Sequence, residues 1–150
     1  MSITIRQATA EDLPSVLALY AQPGMDDGKT LPLVEAEKIH QQFSRYPSYR
    51  LFVVCDESQG GRVIGTYALL IMHNLAHCGT PSAIVEDVVV SQERRSQGTG
   101  AQMMAHAQVL ARQAGCYKLV LSSNQKRERA HAFYESLGFQ RHGFSFLIEM

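Results

Sequence analysis

Two hydrophobic periods take turns along this chain, and their order predicts a mixed α/β fold. Ile3–Arg6 alternates apolar and polar residues as a short strand does. Thr9-Ala-Glu-Asp12 has the form of a capping box, after which Leu13, Val16, Leu17 and Tyr20 recur on one helical face. Residues 22–28, rich in turn formers, end that helix, and Pro32 suits the first turn of a second one carrying Val34, Ala36, Ile39 and Phe43. The runs Tyr49–Asp56 and Arg62–Met72, separated by residues 57–61, predict an antiparallel hairpin. A loop over 73–81 leads to a strand at Ala83–Val90, then a helix over Gly98–Ala114 whose buried stripe is Met103, Met104, Ala107, Leu110 and Ala114. A strand at Lys118–Ser122, a helix at Arg127–Leu137 and a last strand at Phe144–Glu149 complete the pattern. No repeat or linker interrupts it, so the expectation is one α/β (α+β) domain over residues 1–150.

Composition narrows the function classes. A chain of 150 residues buries its own core without staples. Lysine plus arginine and aspartate plus glutamate both number 14, so no basic excess points to nucleic acid. No apolar run reaches membrane-spanning length, and the N-terminus has neither signal nor transit character. Cys55, Cys78 and Cys116 are scattered and odd in number, which reads as reduced thiols in a cytoplasmic protein. His73 and His77 lack a third ligand, so no metal is expected.

The chemistry concentrates at Arg94-Arg-Ser-Gln-Gly-Thr-Gly-Ala101, which lies between the Ala83–Val90 strand and a helix start. Successive backbone N–H groups at the positive end of a helix make an anion cradle. Gly98 and Gly100 let the backbone approach that anion closely. A P-loop string is absent, and the third glycine of a dinucleotide fingerprint is replaced by Met103. What remains is Arg95-x-x-Gly98-x-Gly100.

With its Ile84-Val-Glu-Asp-Val-Val-Val90 strand, this loop and the closing Asn124…Ala130-His-Ala-Phe-Tyr-Glu-Ser-Leu-Gly-Phe139, the chain resembles the GCN5-related N-acetyltransferase superfamily over nearly its whole length. The resemblance implies a mixed central sheet of six to seven strands with about four helices, two strands being splayed to hold acetyl-CoA. It implies that Arg95, Ser96, Gln97, Gly98, Thr99, Gly100 and Ala101 wrap the CoA pyrophosphate, with Ser96 standing where a glycine is usual. Val88, Val89 and Val90 would pair with the pantetheine arm, Val88 N–H polarising the thioester carbonyl. Asn124 would bond the pantetheine or orient its helix, and Arg129 would reach CoA phosphates or an acidic substrate. Tyr134 is the candidate general acid for the departing thiolate. Glu86 is the candidate general base, acting directly or through water, and simple alternation puts it on the face of Val88 and Val90, with Asp87 opposite. Asp27 and His77, in loops beside the acceptor, are candidate substrate contacts.

The reaction expected is direct acetyl transfer to a small primary amine, without a metal, an acyl-cysteine, nucleic acid or membrane. Its rivals are a protein or peptide N-acetyltransferase and a non-catalytic acyl-CoA sensor. The Glu86-Asp87 strand and Gly115-Cys-Tyr-Lys-Leu119 look like glucosamine-6-phosphate N-acetyltransferases, whereas Asn124–Tyr134 looks like aminoalkylphosphonate N-acetyltransferases. The acceptor therefore stays open. A homodimer is expected, with Phe144–Ile148 supplying an intersubunit strand.

Overall fold

The longest apolar runs of the chain become the middle of its sheet. In the computed structural model, which describes residues 2–150, β2 (Tyr49–Asp56) and β3 (Arg62–Met72) pair antiparallel with Phe52 opposite Tyr67 and Val53 opposite Thr66. β1 (Ile3–Gln7) joins β2, and β4 (Ser82–Val90) joins β3, both antiparallel. β5 (Leu119–Val120) joins β4 in parallel, giving the order β1-β2-β3-β4-β5. The described residues also form four α-helices: α1 (Leu13–Tyr20), α2 (Leu33–Phe43), α3 (Thr99–Gln113) and α4 (Glu128–Ser136). The chain packs as two compact units, one ending at Val120 and the other spanning Leu121–Met150.

In the first unit, each sheet face has its own cover. Leu13, Val16 and Ala36 from α1 and α2 pack with Leu51, Val53 and Ala68 on one face. On the other, Met103, Met104 and Ala107 of α3 are fully buried. There Phe52 stacks on Tyr67 at 5.2 Å, and Tyr67 Oη lies 2.6 Å from His106 Nδ1. Gly65 is where α3 comes closest: a Cβ would sit 3.2 Å from Met103 Sδ and 3.3 Å from the Val89 carbonyl. The buried stripe of α3 closes on Ala111 rather than Ala114, because the helix ends at Gln113. The capping box forms as a short 3₁₀ turn before α1, Thr9 N–H donating to Asp12 at 2.8 Å. Arg6 grips the same carboxylate with two donors, at 2.7 and 2.9 Å.

In the second unit, a turn at Asn124 leads into α4. Asn124 Oδ1 accepts from Lys126 N–H at 2.9 Å and its carbonyl accepts from Arg127 N–H at 3.0 Å. Gly138, with φ +94°, lets the chain fold back so that Phe139 N–H donates to the Tyr134 carbonyl at 3.1 Å.

Among the described residues the strand count corrects the expectation of six to seven to five. The strand expected over Lys118–Ser122 shrinks to Leu119–Val120, since only Ala83 and Ile84 pair with it. The strand expected over Phe144–Glu149 does not form. Its apolar residues run together as Phe146-Leu-Ile148 rather than alternating, and a strand needs an edge to pair with. Phe144, Phe146, Leu147 and Ile148 instead face solvent, each more than 80% exposed.

Candidate active site

The centre of β4 carries an extra residue. Ala68 opposes Glu86 and Thr66 opposes Val89, so Asp87 and Val88 together oppose Tyr67. Asp87 takes the left-handed conformation, φ +53°, that accommodates the bulge. The extra residue reverses the alternation beyond it. Glu86 shares the α1/α2 face with Ala68 and Val89, while Val90 shares the α3 face with Val85 and Gly65. The expected grouping of Glu86 with Val90 is therefore corrected, because strict alternation cannot foresee a bulge.

Asp87 meets an electrostatic neighbourhood on the α1/α2 side. Desolvation and the nearby Asp87 charge raise the Glu86 pKa above the usual glutamate value. Desolvation, then repulsion from Asp26, does the same to Asp87. Burial pushes the Tyr49 phenol up, with Asp87 and Glu86 adding to it. Burial also drives the Tyr20 phenol far up, helped by Asp87 and opposed by a hydrogen bond with Thr66. Three carboxylates and two phenols are thus linked electrostatically. That arrangement favours a bound ammonium, and a carboxylate with a raised pKa is the better proton acceptor.

Asp26, rather than Asp27, is the loop carboxylate coupled to the strand. Asp27 turns back to accept from Gly24 N–H at 2.8 Å and holds its own loop. His77 lies in the loop before β4, its ring 4.4 Å from that of Tyr117.

The outer edge of β4 is open. β5 pairs only at Ala83 and Ile84, so from Val85 to Val90 no strand covers that edge among the described residues. Alternate N–H and C=O groups of such an edge are free to pair with an extended guest. The chain then passes through a 3₁₀ turn, Gln92–Arg94, an extended Arg95 and a left-handed Ser96 at φ +63°. Ser96 holds a conformation that costs a non-glycine residue about 1 kcal/mol, which is the reason glycine is usual there. Gly98, at φ +84°, caps α3. A Cβ on Gly98 would meet nothing within 4 Å, so the space above it is open.

Gln102 N–H is bonded to the Gly98 carbonyl at 3.1 Å, which leaves the amides of Thr99, Gly100 and Ala101 as first-turn donors without an intrahelical acceptor. Thr99 Oγ1 is buried without a hydrogen-bond partner. Below the loop, Arg94 donates to the buried Asp56 carboxylate at 2.5 Å. Ser58 and then Arg94 hold the Asp56 pKa below the ordinary aspartate value. The anchored loop, its unbonded amides and the orphaned hydroxyl together suit a phosphate-bearing guest.

The second unit carries the remaining candidates. Tyr134 packs between Phe133 at 5.2 Å and Phe139 at 5.7 Å. Burial raises its pKa, with Arg127 pulling the other way, so the phenol keeps its proton at neutral pH. Asn124 spends its side chain on the turn before α4, and His131 Nε2 lies 2.8 Å from the Asn124 carbonyl. Arg129 is exposed in the first turn of α4.

Sequence reasoning missed Asp87, Tyr20 and Tyr49 as members of the carboxylate–phenol group. The signal for Asp87 was its place beside Glu86, but its seat in a bulge depends on the pairing with β3.

A family model described as the acetyltransferase (GNAT) family matches residues 13–139. The glucosamine 6-phosphate N-acetyltransferase of Trypanosoma brucei brucei is 35% identical over 82 residues, covering 55% of this chain and 54% of that enzyme. The aminoalkylphosphonate N-acetyltransferase of Salmonella typhimurium is 32% identical over 150 residues, covering 95% and 88%. The chain thus spans about half the length of the first relative and most of the second. Among solved structures, an acetyltransferase of Trypanosoma brucei aligns with a TM-score of 0.85 at 28% identity, covering 99% of this chain and 100% of that one. AAC(6')-Iy, solved with a bisubstrate analogue, aligns at 0.78 with 18% identity over 100% and 99%, a likeness of fold.

Proposed function

The chain belongs to the acetyltransferase (GNAT) family, and we propose that it moves acetyl from acetyl-CoA to the primary amine of a small molecule. Membership in that family supports an acetyl-CoA-dependent N-acetyltransferase. The observation that carries the reading of the acceptor is the bulge of β4, where Asp87 couples electrostatically to both Glu86 and Asp26 on a strand whose other edge is open. The relatives named for glucosamine 6-phosphate and aminoalkylphosphonates are consistent with a small acceptor.

In this reading the amides from Arg95 to Ala101 hold the diphosphate, and Arg95 and Arg129 add positive charge. The edge at Val88–Val90, apart from the Val90 carbonyl that Gln22 engages, pairs with the pantetheine amides, and Val88 N–H polarises the thioester carbonyl. Acetyl-CoA supplies the activated acyl carbon. Asp26 and Asp87 hold the acceptor as an ammonium, and Glu86 takes its proton, directly or through water. The freed amine forms the C–N bond as the C–S bond breaks, Tyr134 gives its proton to the departing thiolate, and the proton shed by the new amide nitrogen restores the phenol. Asn124 orients the entry to α4, Asp27 shapes the acceptor loop, and His77 stands in the loop at the other end of β4.

We take residues 1–150 as one catalytic domain, a reading supported by a family match that runs across the boundary between the two units. The free thiols Cys55, Cys78 and Cys116 support a cytoplasmic setting. The exposed Phe144–Ile148 segment supports a homodimer paired through this tail. A monomeric mass in light scattering at working concentration would reject that pairing.

Glu86→Gln tests the base. Glu86 acts unprotonated and its pKa is raised, so kcat/KM of the native enzyme falls as pH drops through a value above the ordinary glutamate range. The variant loses about 100-fold in kcat/KM and its acid limb reports only the acceptor amine. An unchanged rate and pH profile would remove Glu86 from the mechanism.

A further inference from the structure

We propose that Gln22 is a positioning residue that couples the acceptor loop to the donor loop, an inference that rests on the two-sided reading of β4 above. Gln22 opens the loop after α1 and reaches across 68 residues of sequence to the end of β4. Its Nε2 donates to the Val90 carbonyl at 3.2 Å, and its Oε1 accepts from Gln92 N–H at 2.8 Å. These two backbone groups, on residues i and i+2, form the kind of pair that a neighbouring strand engages. A flipped amide would set donor against donor and acceptor against acceptor, so both contacts require the same orientation.

Each end of this clamp is tied to one half of the proposed site. On the acceptor side, Met25 N–H donates to the Gln22 carbonyl, Asp26 N–H to Tyr20 and Gly28 N–H to Ala21, at 3.3, 2.9 and 2.7 Å. Those bonds make residues 20–28 a compact loop, and its Asp26 is the carboxylate that raises the Asp87 pKa. On the donor side, Gln92 begins the turn closed by Arg94 N–H to the Ser91 carbonyl at 2.8 Å. Arg94 is anchored on Asp56, and the next residues are the cradle, Arg95 to Ala101. The two loops therefore share one side-chain amide. Anything that orders the cradle restrains Val90 and Gln92, and through them the loop carrying Asp26. By reciprocity, an ordered acceptor loop favours the donor. Gln22 touches none of the reacting atoms in this arrangement, so its effect falls on binding rather than on the chemical step.

The test is hydrogen exchange on the full chain with and without coenzyme A, in native protein and in Gln22→Met, which keeps the length of the side chain and removes the amide. In native protein, coenzyme A slows exchange at 95–101 and also at 22–28. In Gln22→Met the slowing at 95–101 remains and that at 22–28 disappears. KM for acetyl-CoA and for the acceptor each rise about tenfold, while kcat changes by less than about threefold. Gln22→Glu, which keeps only the acceptor half of the clamp, falls between the two. Equal protection of 22–28 in native and Gln22→Met protein would overturn the coupling, as would native protection confined to 95–101. Failure of coenzyme A to protect 95–101 in native protein would instead overturn the donor site, and the coupling with it.

Discussion

Gly98→Glu abolishes coenzyme A binding and leaves the protein folded. The backbone at Gly98 is left-handed, at φ +84° and ψ 0°, so any side chain there costs about 1–2 kcal/mol. That cost is local, because a Cβ would meet no protein atom within 4 Å and nothing in the core need move. The new carboxylate enters the space where the cradle amides are to meet a diphosphate. Two like charges about 4 Å apart near a protein surface repel by about 4 kcal/mol, roughly a thousandfold in affinity. Calorimetry of coenzyme A against the native protein and the variant measures the loss. Gly98→Ala, which adds the strain without the charge, retains most of the affinity. Unchanged affinity in Gly98→Glu would remove the loop from the donor site.

Tyr134→Phe lowers turnover by about 100-fold with coenzyme A affinity unchanged. The substitution preserves the aromatic contacts with Phe133 and Phe139 and removes only the hydroxyl. Burial holds that hydroxyl protonated at neutral pH, the state a proton donor to a departing thiolate requires. Replacing it slows the step in which the C–S bond breaks and leaves binding alone, so kcat and kcat/KM fall together. Thiol release measured under saturating acetyl-CoA separates this from a folding defect, and the melting temperature of the variant serves as the control. Full activity would take Tyr134 out of the mechanism.

Much of the fold was legible in the periods of the sequence. Tyr49–Asp56 and Arg62–Met72 form the strands their patterns predict, since each is long, apolar and bounded by turn formers. The capping box and the strand–turn–helix around Gly98 were equally readable, because caps and glycine turns are local devices. The misses all depend on partners distant in sequence. β5 is short because it pairs with only Ala83 and Ile84 of β4, and no local propensity reports that. The 144–149 segment has strand-forming residues, yet it pairs with no strand among the described residues.

The carboxylate group was half legible. Glu86 was found, but the bulge that holds Asp87 next to it depends on the register against Tyr67. Asp26 and Asp27 are adjacent and chemically alike, and only the turn at Gly24 decides which of them is occupied within the loop. Gln22 carried no signal at all, as its two partners are backbone groups whose positions the fold alone determines.

The central claim is that this chain acetylates a small amine from acetyl-CoA, and thiol release tests it most directly. The panel comprises aminoalkylphosphonates, amino sugars, polyamines, amino acids and peptides, each offered with acetyl-CoA to the native protein. The account predicts release that depends on a small amine, saturates with it, and is lost in Gly98→Glu. Release with none of them, in a protein that coenzyme A nevertheless stabilises against heat, would contradict it and identify an acyl-CoA sensor instead.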